Sequence, residues 1–127
     1  MFTPILHLEH ADSRGEIYSL SLPDNKELML LHSVVGSVRG GHAHDVDEVV
    51  VFLTGRMAYY KRDAKGVESR EEMKAGDASF NPAGLIHMGV FHEDTWLIEQ
   101  KLAEKGESRN IDYKPWREKV EANAAGR

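Results

Sequence analysis

Residues 36–55 read GSVRGGHAHDVDEVVVFLTG and combine two histidines, a carboxylate and a strongly apolar segment. His42 and His44 are separated by one residue, so an extended backbone directs both imidazoles to the same side. Glu48 opens the apolar segment, where a carboxylate costs free energy unless it is paired or coordinated. A bound cation would offset that cost, so the pattern favours a metal site.

A second stretch, residues 76–91, reads GDASFNPAGLIHMGVF and contains a third histidine. Pro82 and Gly84 predict a turn, because proline fixes φ and glycine tolerates positive φ. His87 then opens another apolar strand, where it can supply a third nitrogen ligand. Each residue also has a simpler interpretation, since a single strand histidine is usually a hydrogen-bonded partner and a glutamate before a strand usually faces solvent.

The spacing in both stretches resembles that of the cupins. Their first motif is G-x5-H-x-H-x3-E-x6-G, and their second is G-x5-P-x-G-x2-H-x3-N. The matching residues are Gly36, His42, His44, Glu48 and Gly55 in the first motif, and Gly76, Pro82, Gly84 and His87 in the second. Only the last position differs, because Phe91 stands where the motif has asparagine.

The resemblance implies a small antiparallel β-barrel of the jelly-roll type with one divalent metal inside. The implied ligands are the matching residues His42, His44, Glu48 and His87. Four such ligands leave two positions of an octahedron open, which suits iron, manganese, nickel or cobalt, and zinc is a further option. The open positions would receive water, dioxygen or a chelating substrate.

The rest of the chain predicts an all-β fold, because short apolar and β-branched segments alternate with Gly, Pro, Asn and Asp turns. No segment between them has the helical pattern that a parallel β-α-β sheet requires. The predicted strands are 16–22, 27–35, 47–54, 56–62, 67–74, 77–80, 86–91 and 95–101.

Residues 1–103 are assigned to the barrel and 104–127 to a charged tail. Within the tail, 114–124 is predicted to be helical, since Pro115 suits a first helical turn and Trp116 and Val120 lie four residues apart. The alternative is a disordered terminus after Gly106.

Burial can also be predicted along individual strands. Residues 49–53 (VVVFL) are apolar on both faces and should be covered on both, whereas 67–74 is charged and should be an edge strand or a loop. Side-chain alternation places Val50 and Phe52 inward with Glu48, and Gly89 and Phe91 inward with His87.

The same alternation places Met57, Tyr59 and Lys61 on one face. Tyr59 and Lys61 are therefore candidates for orienting a substrate or for acid–base catalysis. The remaining histidines are predicted to lie outside the site. His7, His10 and His92 are interpreted as surface groups in loops or termini, and His32 as a satisfied core or rim side chain.

Composition excludes several classes of protein. The chain has 127 residues and a net charge of −5, which disfavours a broad basic face for nucleic acid or anionic membranes. It has no cysteine, so any metal must be held by imidazole and carboxylate. No stretch is long and apolar enough to span a membrane, and no signal peptide is evident, so a cytoplasmic protein is expected.

Three functions remain open at this level. The first is a metal-dependent enzyme acting on a small oxygen-bearing molecule, by oxidation, isomerisation or C–C cleavage. The second follows from a narrower, local resemblance of 12–15 (DSRG) and 39–44 (RGGHAH) to nucleotide-sugar 3,4-ketoisomerases and, more loosely, to the 3,5-epimerases. It implies His42 and His44 as acid–base groups and Arg39 as a phosphate ligand. The third is a metabolite-binding protein without catalysis.

A homodimer is expected, since single-barrel cupins commonly dimerise. The apolar strand 16–22, taken as an exposed edge, gives a physical reason for pairing.

Overall fold

Most strands form where apolar residues alternate with polar ones between glycine and aspartate turns. The computed structural model describes residues 2–103 and 110–125. The strands are β1 (Leu6–Asp12), β2 (Gly15–Leu22), β3 (Lys26–Ser33), β4 (Val38–His44), β5 (Glu48–Phe52), β6 (Arg56–Arg62), β7 (Glu68–Lys74), β8 (Ala78–Asn81), β9 (Ile86–Phe91), β10 (Thr95–Lys101) and β11 (Asn110–Asp112), followed by helix α1 (Lys114–Ala125).

Two antiparallel sheets make up the barrel. Sheet A has the order β1-β2-β3-β10-β5-β8, and sheet B has the order β11-β4-β9-β6-β7. Their inner faces share one apolar core, contributed by Leu31, Val50, Phe52 and Leu97 from sheet A and by Met57, Tyr59, Met73 and Phe91 from sheet B. The all-β prediction is therefore confirmed, and the site lies between the two sheets.

A second apolar cluster lies on the outer face of sheet B. Helix α1 contributes Trp116 and Val120, which pack with Ala43, Ile86 and Met88 of the sheet. The Trp116 indole also donates a hydrogen bond to Glu68 on β7. The helix predicted for 114–124 is thus present and docked. It begins at Lys114, with Pro115 in the first turn, where a missing N–H costs no hydrogen bond. Residues 104–109 lie outside the described part of the chain.

The amino-terminal segment differs from the expectation. Residues 6–12, which are not among the predicted strands and contain His7 and His10, interpreted as loop or terminal residues, form β1 and pair with β2 along its length. Strand β2 also pairs with β3, so 16–22 is an interior strand and the prediction that it forms an exposed edge is wrong. Every residue of β1 is exposed, so β1 has no buried face to produce an alternating pattern of apolar residues.

Strand β5 is buried on one face rather than on both. Val50 and Phe52 are each 1% exposed, whereas Leu53, just beyond the strand, is 45% exposed, and Val49 and Val51 are half-buried. The prediction of cover on both faces is therefore wrong, because no described element packs on the outside of sheet A. By contrast, the charged strand β7 lies at the edge of sheet B, as predicted.

None of the described helical residues forms a segment of the length and apolarity that crossing a membrane requires.

Candidate metal centre

Two neighbouring strands of sheet B bring the three motif histidines together. On β4, His42 pairs in register with His87 of β9, and His44 follows two residues later on the same face. One nitrogen from each of the three rings can be chosen so that all three atoms lie within 4.8 Å of one another. The three imidazoles are therefore placed to hold a metal ion.

A bulge in β4 determines which of its side chains face the cavity. Arg39 pairs with Gly89 and His42 pairs with His87, so one extra residue lies between the two pairs on β4. Gly40 and Gly41 have φ values of 100° and 86°, which only glycine adopts without strain. Arg39 and His42 are three residues apart, yet both line the cavity. In a regular strand they would face opposite sides.

Glu48, the first residue of β5, is completely buried beside two of the histidines. Its carboxylate lies 3.1 Å from His44 Nε2 and 3.6 Å from His87 Nε2. His87 Nε2 is itself buried and forms no hydrogen bond with any described residue. An unsatisfied imidazole nitrogen next to a buried carboxylate is unfavourable unless a cation is shared between them, so the residues fit a divalent metal.

The electrostatics favour the protonation states that bind metal. Burial lowers the pKa of His42 to about 4 and the pKa of His87 to about 3. Burial alone would raise the pKa of Glu48, but His44, His87 and Asn81 lower it below its usual value. Neutral imidazoles and an ionised carboxylate are the forms that a metal ligand requires.

The two predicted catalytic residues on β6 lie behind the histidines. Tyr59 Oη is 3.2 Å from His87 Nδ1 and accepts a hydrogen bond of 2.8 Å from Asn81 Nδ2. Tyr59 still forms part of the cavity wall, but Lys61 is absent from the wall. The Lys61 ammonium is buried and donates to Ser79 Oγ. Tyr59 can therefore meet a ligand, whereas Lys61 supports neighbouring side chains.

Arg39 lies in the cavity wall and is anchored on two sides. Its Nε donates to Ser33 Oγ at 2.8 Å, and its Nη2 lies 3.3 Å from the carbonyl oxygen of His32. Burial, and then repulsion from Arg14, lower the pKa of Arg39. The guanidinium has further N–H groups that an anionic ligand in the cavity can accept from.

The cavity has a volume of about 470 Å³ and contains acidic and basic groups that sequence reasoning missed. Glu99 and Lys101 of β10 both line it. Burial, followed by repulsion from Glu48, raises the pKa of Glu99 to about 8. Alternation along 95–101 could have identified both residues, because they share the inward parity of Leu97.

The other histidines lie away from this cluster, as predicted. His10 contacts Asp12 at 2.9 Å, and His92 contacts Glu72 at 3.0 Å. His32 lies 3.0 Å from Glu16 and stacks on Trp96. His7 is exposed on β1.

Comparison with known proteins adds information on the fold. The sequence matches no protein-family model, and no curated protein matches it. Among solved structures, it is similar to the oxalate decarboxylase of Lactobacillus farciminis, with a TM-score of 0.71 and 16% identity over 86% of this chain and 34% of that chain. It is also similar to the capsular polysaccharide assembling protein CapF of Staphylococcus aureus, with a TM-score of 0.69 and 15% identity over 88% of this chain and 33% of that chain.

A third similar structure is vicilin from Corylus avellana, hazelnut, with a TM-score of 0.70 and 13% identity over 84% of this chain and 34% of that chain. The chain thus spans about one third of the length of these structures. Likeness at such low identity concerns the fold alone. All three structures are cupins, and their agreement with the two-sheet barrel described above shows that this chain has the cupin fold.

Proposed function

We propose that the chain is a metal-dependent enzyme that acts on a small oxygen-bearing molecule. The observation that carries this proposal is the His42, His44 and His87 cluster in the wall of a 470 Å³ cavity. In this proposal Glu48 is the fourth ligand and one divalent ion binds per chain. Imidazole and carboxylate donors suit iron, manganese, nickel, cobalt or zinc.

A divalent ion held there would act as a Lewis acid, or activate dioxygen, for a chelating substrate. The chain's own residues would bind and orient that substrate. Arg39, fixed by Ser33, is suited to an anionic oxygen, and Tyr59 lines the same cavity. The apolar wall, which includes Leu31, Val50 and Leu97, would limit the access of water.

Elemental analysis of untagged protein tests the metal site. We expect about one divalent ion per chain in the purified protein, lost in the His44→Ala and His87→Ala variants. The matched control is His92→Ala, because His92 lies outside the cluster and contacts Glu72. Substoichiometric metal after reconstitution of the unchanged protein would contradict the proposal.

A second candidate is a nucleotide-sugar isomerase in which His42 and His44 move protons without metal. Its support is that Arg14 and Arg39 both line the cavity beside His42, where they suit a diphosphate. The burial of Glu48 against His44 and His87 favours the metal enzyme instead. Stabilisation by nucleotide-diphosphate sugars that is lost in Arg39→Ala would favour this candidate. Saturable binding of a metabolite without turnover would favour a third, non-catalytic function.

We also propose that the chain works as a homodimer in the cytoplasm, without nucleic acid or membrane partners. The dimer is supported by the outer face of sheet A. There Tyr18, Leu30, Ile98 and Val51 lie in one cross-strand row, and Phe80 is 54% exposed on β8. Helix α1 packs on sheet B, and no described element covers this row.

The size and chemistry of this face fit a second copy of the chain. The six strands of sheet A have 7, 8, 8, 7, 5 and 4 residues in the order in which they pair, so at about 3.3 Å per residue and about 4.8 Å between strands this face covers about 600 Å². Stable interfaces bury about 600–1,000 Å² on each partner, and this face reaches the lower end of that range. The row itself carries no charge, so two copies can pack face to face without burying an unpaired ion.

A further inference from the structure

A buried chain of hydrogen bonds runs behind the candidate metal ligands. Lys61 Nζ donates to Ser79 Oγ, and Ser79 Oγ donates to Asn81 Oδ1 at 3.3 Å. The Asn81 amide nitrogen then donates to Glu48 Oε1 at 3.3 Å and to Tyr59 Oη at 2.8 Å. All five side chains are buried, Asn81 to the extent that it is 2% exposed.

The ammonium of Lys61 and the carboxylate of Glu48, at the two ends of this series of hydrogen bonds, determine which group donates and which accepts at each step. An ammonium can only donate hydrogen bonds, and an ionised carboxylate can only accept them. Because Lys61 donates to Ser79, the single Ser79 hydrogen is left to donate to Asn81 Oδ1. The Asn81 NH₂ group must then face Glu48, since the opposite amide orientation would place oxygen against carboxylate. Lys61 and Ser79 therefore select one orientation of the Asn81 side chain.

The two Asn81 hydrogens act on two different candidate ligands. One is donated to Glu48 Oε1, which restricts rotation of the carboxylate. The other holds Tyr59 Oη, which lies 3.2 Å from His87 Nδ1. Because His87 Nδ1 makes its contact with Tyr59 Oη, the other ring nitrogen, Nε2, is directed towards Glu48. One amide group thus orients a carboxylate and an imidazole that come from different sheets.

We infer that Asn81 is a positioning residue for the metal site, oriented by Lys61 through Ser79. This inference rests on the proposed metal function. It gives Asn81 a role beyond the turn that the sequence Asn81-Pro82-Ala83-Gly84 predicts. Partners that orient metal ligands typically contribute a factor of 10–100 to metal affinity.

Cobalt(II) titration of the full chain tests this inference through affinity and the visible absorption spectrum. Asn81→Leu keeps the branched shape and the number of heavy atoms of the side chain without adding charge, and it removes both hydrogen bonds to the ligand side. We expect Co(II) affinity to fall about 10-fold to 100-fold, with an altered d–d spectrum that reports changed ligand geometry. The matched control is Asn123→Leu, because Asn123 is exposed on α1.

Ser79→Ala provides a second variant should Asn81→Leu fail to fold, and we expect a smaller loss of affinity in the same direction. Both titrations are run well below the unfolding temperature, so that lower stability alone leaves affinity and spectrum unchanged. Unchanged Co(II) affinity and spectrum in these variants, with binding by the unmodified protein, would overturn the role of Asn81 only. Failure of the unmodified protein to bind Co(II) would overturn the metal site and this inference together.

Discussion

At the scale of single residues, the site depends on where charge is buried. Glu48 is completely buried and is stabilised as a carboxylate by His44, His87 and Asn81. Glu99 faces the same cavity without a hydrogen bond or ion pair to another described residue. These two carboxyl groups therefore have opposite shifts in pKa. At Glu48 the neighbouring donors outweigh burial, whereas at Glu99 burial and repulsion from Glu48 outweigh the attraction of Lys101 and Arg39.

Glu99→Gln should change the dependence of stability on pH. The groups acting on Glu99 are Glu48, Lys101 and Arg39, and burial is the largest cause of its pKa of about 8. The unfolded chain ionises near the usual value of 4.5. In the folded state Glu99 keeps its proton up to about pH 8. The stability that the protonated Glu99 side chain allows is therefore fully present below pH 4.5, and it is lost as the pH rises through about 8.

Urea unfolding in the presence of chelator, near pH 5 and near pH 8, measures this effect. We expect Glu99→Gln to become more stable than the unchanged protein as the pH rises, by a few kcal/mol at most. Glu121→Gln is the matched control, since Glu121 is exposed on α1. A constant difference between Glu99→Gln and the unchanged protein at both pH values would contradict the assigned pKa.

At the scale of elements, the site depends on contact between β4 and its neighbours. Strand β4 was not among the predicted strands, because its glycines weaken strand propensity. Those glycines permit close packing on both sides. A Cβ on Gly40 would lie 2.7 Å from the carbonyl oxygen of His87, and a Cβ on Gly41 would lie 2.6 Å from Arg117 Cβ on α1.

Gly41→Ala should therefore destabilise the fold by about 2–4 kcal/mol. Strain at positive φ accounts for about 1–2 kcal/mol of this loss. The close contact of the new Cβ with Arg117 adds to the loss, because the Arg117 Cβ is attached to the backbone of α1 and cannot rotate out of the way. Gly76→Ala separates the two effects, since Gly76 has φ of 93° and no atom within 4 Å of an added Cβ. If denaturant unfolding showed the same decrease in the free energy of unfolding for both variants, α1 would have to shift away from Gly41→Ala at no energetic cost, and the predicted contribution of Arg117 would be wrong.

At the scale of the whole molecule, the two sheets are covered differently. Sheet B buries its outer face against α1 through Trp116 and Val120. The outer face of sheet A carries the row of Tyr18, Leu30, Ile98 and Val51 and has no cover among the described residues. This difference is the physical reason for the proposed homodimer, and it replaces the exposed edge strand expected from the sequence.

Size-exclusion chromatography with light scattering tests the dimer. We expect two chains per particle at micromolar concentration, and one chain for Ile98→Glu, because the glutamate would bury a charge at the centre of the row. Val67→Glu is the matched control, since Val67 is 62% exposed away from this face. A monomeric unchanged protein, or a dimeric Ile98→Glu, would contradict this interface.

The sequence by itself determined the fold class and identified which three histidines come together at the site, because both depend on the spacing of residues within short segments. Strand alternation and the interval from His42 to His44 are properties of a single segment. The grouping of Asn81, Tyr59 and Lys61 behind these histidines was decided only by the tertiary structure. The same holds for the inward position of Arg39 and for cover on one face of β5. Each depends on which strands become neighbours, and the position of Arg39 depends also on the bulge in β4. Contacts between distant segments leave no periodic signal in either segment alone.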